Sequence, residues 1–244
     1  MSDELVITPE ALPVEAALAC VADSKRSRWF EVSLVLLAAF GGYILNSLFI
    51  LNKAQVQSSV GESARWMMGL LQEVTALLLL GYVLSRRGMR IRDLGLRWSI
   101  RDVGYGLLVA VASYWAYGVG HSFIRSIHDA LFGGAQSGAT AQQVFGHPSL
   151  MALPLILLNP FFEELIVRAY LMTEIKDLTG SWTLSIAIST VVQFSYHLYY
   201  GWMGAISLSF QLLVFAIYYA ATRKATPIVV AHGIFDLLAL IRLR

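Results

Sequence analysis

Cysteine is nearly missing from this 244-residue chain, where Cys20 is the single example. One cysteine excludes an internal disulfide and any cysteine-built metal cluster, and Cys20 lies in a polar stretch far from the motifs that carry chemistry. Charge is scarce as well. Asp, Glu, Lys and Arg make up 14% of the residues against 57% hydrophobic, and the mean hydropathy is +0.63. That balance describes an integral membrane protein and excludes an ordinary soluble globule. The net charge of +2 is too small to suggest a nucleic-acid partner. Repeats and low-complexity tracts are also lacking, so no solenoid or second domain is expected. A basic leader is missing too: the chain opens with Asp3 and Glu4, so residues 1–28 read as a cytosolic tail and not as a signal peptide.

What the chain does have is apolar runs, at 29–51, 66–84, 103–124, 149–172, 181–200, 203–222 and 227–241. About 20 apolar residues cross a bilayer as a helix. The expected architecture is therefore an all-α integral membrane protein, a polytopic bundle of about seven (six to eight) transmembrane helices. Residues 29–244 form one transmembrane domain, with the chemistry-bearing core in 149–241. Residues 85–101 carry six arginines, which assigns that loop and the N-terminus to the cytosol. Lys25, Arg26, Arg28, Arg223 and Lys224 agree with this topology, whereas Arg242 and Arg244 go against it.

Two adjacent acids, Glu163 and Glu164, lie in the apolar run LMALPLILLNPFFEELIVRAYLM. An ionisable residue at membrane depth costs a few kcal/mol even on lenient insertion scales, so it marks a functional site whose partners should be sought. Asn159 before Pro160 reads as a helix cap followed by a first-turn proline, which starts a helix near 160. Glu164 and Arg168 are then four apart on one face, as a neutralised, position-fixing pair. Glu163, about 100° round the helix, is left as a carboxylate free to act as a base. His197 ends the next run among aromatic residues, and in AHGIFD the pair His232 and Asp236 again shares a face, so the carboxylate can orient the imidazole. A carboxylate base with two histidines can activate water and stabilise an oxyanion, which is hydrolase chemistry.

Glu163-Glu164-x-x-x-Arg168, Phe194 shortly before His197, and His232-x-x-x-Asp236, in that order on consecutive apolar segments, resemble the CPBP family of type II CAAX prenyl proteases and bacteriocin-processing (Abi) membrane proteins. DLGLR at 93–97 resembles a loop common in its bacterial members. The resemblance implies an intramembrane endopeptidase in a bacterial cell membrane. Its substrate would be a membrane-associated peptide or protein, prenylated in some members. Glu163 and His197 would activate water, His232 with the residue at 236 would stabilise the oxyanion, and Glu164 with Arg168 would support the site. Two positions depart from the pattern. Gln193 stands where a Phe is common, and Asp236 replaces an Asn, and an ionised Asp cannot donate to an oxyanion.

The family's metalloprotease label leaves room for Zn²⁺, but HExxH is lacking, and water activation without a cofactor is the favoured expectation. The competing readings are a non-catalytic membrane protein, such as a bacteriocin-immunity factor or regulatory scaffold, and a proton-coupled transporter. His197 and His232 sit near opposite ends of one intervening span. A shared site therefore requires that residues 198–206 not form a simple tight turn, or that the span be tilted or short. Glu73, beside Gln72 in the second run, could line a polar cavity but has no partner at helical spacing. His121 and the tryptophans read as interfacial, and Gly104, Gly106, Gly118 and Gly120 as small residues that allow close helix packing.

Overall fold

A computed structural model describes residues 14–52, 61–133 and 152–243. Residues 1–13 of the expected tail, 134–151, which include the first residues of the expected core, and Arg244 lie outside the described residues. Helices α1 (Val14–Leu51), α2 (Glu62–Arg86), α3 (Ile100–Phe132) and α4 (Ala152–Glu163) are followed by a π-helical segment (Glu164–Tyr170). The chain continues through α5 (Leu171–Thr179), α6 (Trp182–Tyr196), α7 (Gly201–Thr222) and α8 (Thr226–Leu243), with short 3₁₀ turns at Ile91–Leu94 and Leu198–Tyr200. No strand occurs among the described residues. The protein is an all-α membrane protein.

Among the described residues, four stretches are long and apolar enough to cross a bilayer: Ser24–Leu51, Ser63–Arg86, Ile100–Leu131 and Leu198–Thr222. The expected count of about seven is not reached by that criterion. The reason is local: α4, α5 and α6 have only 12, 9 and 15 residues, and the run that holds Glu163 and Glu164 is divided by its π-helical segment. Helix α1 also starts well before residue 29, so the second half of the expected tail is helical.

The helix expected to start near 160 instead starts at Ala152 and carries Pro160 in its interior. Proline there removes the donor that would pair with the carbonyl of Ile156, a defect that membrane helices tolerate when neighbouring elements pack against it. Pro160 is buried, and its ring lies 3.6 Å from where a Cβ on Gly233 of α8 would stand. The Asn159 side chain is thereby free for a tertiary contact instead of a cap.

Helix α3 packs against α7 and α8, and two of its four glycines set that approach. A Cβ at Gly106 would stand 2.7 Å from Val230, and one at Gly120 would stand 2.4 Å from Phe210. Gly104 and Gly118 face open space, so only half of the small-residue pattern serves packing. Ser99 and Ser181 cap α3 and α6 by accepting from the N–H groups of Asp102 and Leu184, which satisfies orphan donors of the first turn.

One end of the bundle gathers the charge. Arg28 of α1 reaches Glu174 (2.9 Å), Arg87 reaches Glu174 (2.6 Å), and Arg87 also pairs with Glu31. At the same end, the 93–97 loop clasps the α7–α8 turn. Gly95 O accepts from Ala225 N (3.0 Å), Arg97 N donates to Thr226 Oγ1 (3.0 Å), and Thr226 Oγ1 donates to Arg97 O (2.8 Å). Gly95 has φ 87°, and a Cβ there would stand 2.0 Å from Arg223 O. Glycine is required there both by its backbone conformation and by the close approach. The clasp fixes the start of α8, six residues before His232.

Candidate active site

The π-helical segment is the local irregularity around which the site is built. All seven of its residues are buried, and π-helical turns recur at functional sites because their bonding breaks the regular i→i+4 ladder. Neighbouring helices supply partners for its polar groups. Ser189 of α6 donates to Val167 O (3.1 Å), Tyr219 of α7 donates to Ala169 O (3.1 Å), and Arg168 Nη2 donates to Leu212 O (3.0 Å). Helices α6 and α7 thus hold Glu164 and Arg168 in place.

Glu164 and Arg168 are both fully buried, and their charged groups come to 3.8 Å. The expected pair exists, but it is not the closest contact of Glu164. His232 Nδ1 lies 2.7 Å from Glu164 Oε1. Asp236, expected to orient His232, stands further off, its Oδ1 3.5 Å from Nε2. Its Oδ2 instead accepts from Asn159 Nδ2 at 2.9 Å. The tertiary contact won over the i,i+4 pairing because α4 and α8 pack directly, which puts the second glutamate against the imidazole.

Glu163, expected to be a carboxylate left outside the Glu164–Arg168 pair, accepts from two donors of its own. Tyr196 Oη donates to its Oε2 at 2.6 Å, and Gln193 Nε2 donates to the same oxygen at 3.2 Å. Both come from α6, which sequence spacing within one helix cannot show. Gln193, read as a departure from a family pattern, is a working contact here. The legible signal was spacing: Gln193, Tyr196 and His197 fall at i, i+3 and i+4, so one helical face carries all three.

His197 caps the end of α6. Its Nδ1 lies 2.9 Å from Gln193 O, and because a carbonyl only accepts, that nitrogen carries the proton and Nε2 is left as the basic atom. Its ring is 4.5 Å from the Tyr196 ring, centroid to centroid. A 3₁₀ turn at Leu198–Tyr200 leads into α7, which runs for 22 residues. Glu163, Glu164 and His232 come together, whereas His197 stands outside that cluster, beside Tyr196. The carboxyl group that accepts from Tyr196, the neighbour of His197, has a ligand atom within 4.8 Å of those of Glu164 and His232.

Those three residues are also the group among the described residues that could hold a cation. Two carboxylates and an imidazole are a donor set suited to Zn²⁺, with an open position for water.

Residues 145–238 match the family described as Rce1-like, type II CAAX prenyl endopeptidase. The match begins just before α4 and ends two residues after Asp236, so it contains each of the six site residues. No curated protein and no solved structure matches the chain.

Proposed function

We propose, from the match of residues 145–238 to the Rce1-like type II CAAX prenyl endopeptidases, that this membrane protein is an endopeptidase that cleaves a membrane-associated or lipidated peptide by water attack. The observation that carries this reading is the closure of Glu163, Glu164 and His232 within 4.8 Å, at a site whose acids lie buried in an apolar segment.

Glu163 is the general base. Tyr196 and Gln193 both donate to Oε2, which fixes the carboxylate and leaves Oε1 for the attacking water. His197 assists through Nε2, its Nδ1 being tied to the Gln193 carbonyl. Glu164 holds His232 at Nδ1, so that Nε2, in the doubly protonated ring, donates to the oxyanion. Arg168 balances the Glu164 charge, and Asp236, tethered by Asn159, adds a carboxylate beside His232. A Zn²⁺ bound by Glu163, Glu164 and His232 would supply Lewis acidity and a more acidic water. The orienting roles of Arg168, Gln193, Tyr196 and Asn159 are the same either way.

The arrangement in the membrane follows from the charges. The clustered arginines, with the Arg28, Arg87 and Glu174 network at the same end, support a topology in which that end of the bundle and the N-terminus face the cytosol, in a bacterial cell membrane as the family resemblance implies. The shorter helices α4 to α6 and helix α8 complete about seven crossings or partial crossings. The test is direct. Purified protein in nanodiscs should release the C-terminal tripeptide from a farnesylated CAAX peptide, read by mass spectrometry. Intact peptide after prolonged incubation, together with proton-coupled flux in liposomes, would replace the protease reading with a transporter.

A further inference from the structure

Glu73 of α2 is 2% exposed, and its Oε2 has no hydrogen-bond partner. An unpaired buried carboxyl oxygen costs stability, and in a membrane helix a leucine would pack there at no such cost. Helix α2 lies against α4, the helix that ends at Glu163. Four residues before Glu73, a Cβ on Gly69 would stand 3.1 Å from Leu155 of α4 and 3.7 Å from the Tyr43 hydroxyl. The Tyr43 ring is 6.3 Å from that of Phe162, the neighbour of Glu163. Glu73, one turn from Gly69, shares its face of α2, the face turned to Leu155 of α4 and to Tyr43. Glu73 therefore lies on the side of α2 toward the site, on a helix outside the matched family segment.

A peptide drawn into a bilayer-embedded site in extended form has a complementary deficit. Its backbone N–H groups lose water and must find acceptors in the protein. We propose that Glu73 is a substrate-contacting residue of this site, whose free Oε2 accepts a backbone N–H of the peptide held at Glu163 and His232. The assignment rests on the protease reading and adds a binding group from α2 to it.

The experiment uses full-length protein in nanodiscs and a farnesylated, fluorescence-quenched CAAX peptide. Cleavage is compared for wild type, Glu73→Gln and Glu73→Leu. Binding of the same peptide is measured by anisotropy in a Glu163→Gln background with and without Glu73→Leu. Glu73→Leu should raise KM and the dissociation constant about tenfold, the worth of one buried hydrogen bond, with kcat changed less than about twofold. Its thermal unfolding temperature should stay level or rise, because an unpaired buried acid has been removed, whereas a structural role would lower it. Glu73→Gln, which keeps a carbonyl acceptor, should stay within about threefold of wild type. Cleavage by wild type with an unchanged KM in Glu73→Leu overturns the Glu73 assignment alone, as does a loss confined to kcat. If wild type does not cleave, the protease reading fails and the binding comparison decides the assignment: a tenfold weakening supports it, and equal binding or no binding overturns it.

Discussion

Glu164 Oε1 and His232 Nδ1 are 2.7 Å apart, although 68 residues separate them in the chain. That contact joins the π-helical segment to α8 and makes Glu164 the partner of a histidine as well as of Arg168. The two glutamates consequently differ in their contacts: Glu164 meets His232 and Arg168, whereas Glu163 accepts from Tyr196 and Gln193 at Oε2 alone, the asymmetry on which the proposed roles rest.

Breaking the buried ion pair should be costly. Arg168→Leu leaves the fully buried Glu164 with His232 as its remaining charged partner, and removing one partner of a buried pair typically costs about 3–5 kcal/mol. Arg168→Leu should therefore lower the unfolding temperature in detergent sharply. The double variant Arg168→Leu with Glu164→Gln should lose less than the sum of the two singles. Strict additivity would show that the pair is not coupled.

Gly95→Ala should loosen the clasp that sets the start of α8. The added Cβ would meet Arg223 O at 2.0 Å in a backbone with φ 87°, so both strain and clash oppose it. The expected result is easier proteolysis of the α7–α8 turn and reduced thermal stability. A wild-type cleavage pattern would remove the clasp from the account.

The helical character and the membrane location were legible in the sequence because apolar run length is a local signal, and charge within apolar runs singled out the six candidate site residues. The division of the 149–172 run was not. Its π-helical segment depends on donors from Ser189, Tyr219 and the Arg168–Leu212 contact, which lie on other helices. Asn159 was misread for the same reason. Its helix-cap chemistry is local, whereas its bond to Asp236 is set by the packing of α4 on α8. Tyr196 and Gln193 carried a readable spacing, but only the fold shows that their shared target is Glu163.

Lys224 provides a pH test outside the membrane-spanning segments. Its Nζ lies 2.8 Å from Asp102 Oδ1, and that hydrogen bond holds the ammonium above its ordinary value of 10.5. Because the folded value exceeds the unfolded one, this contribution is complete below the unfolded value and is lost as pH rises through the folded value. Unfolding temperature should be level to about pH 10 and decline above it. In Lys224→Ala the part of the decline due to this pair should vanish, and a decline identical to wild type would contradict the assignment.

Metal dependence separates the two ways of activating water. Dialysis against a strong chelator should leave cleavage of the farnesylated peptide unchanged if Glu163 and His197 suffice. Loss of activity restored by one equivalent of Zn²⁺ would instead assign Glu163, Glu164 and His232 as ligands.

The central claim rests on Glu163, and the most direct measurement is peptide cleavage by purified Glu163→Gln beside wild type, with unfolding temperature read on the same samples. Glutamine keeps the size of the side chain and can still accept from Tyr196, but it cannot take a proton from water. Cleavage should fall by about 10²–10⁴-fold with the folded membrane protein preserved, whereas a wild-type rate in the folded variant would contradict the account.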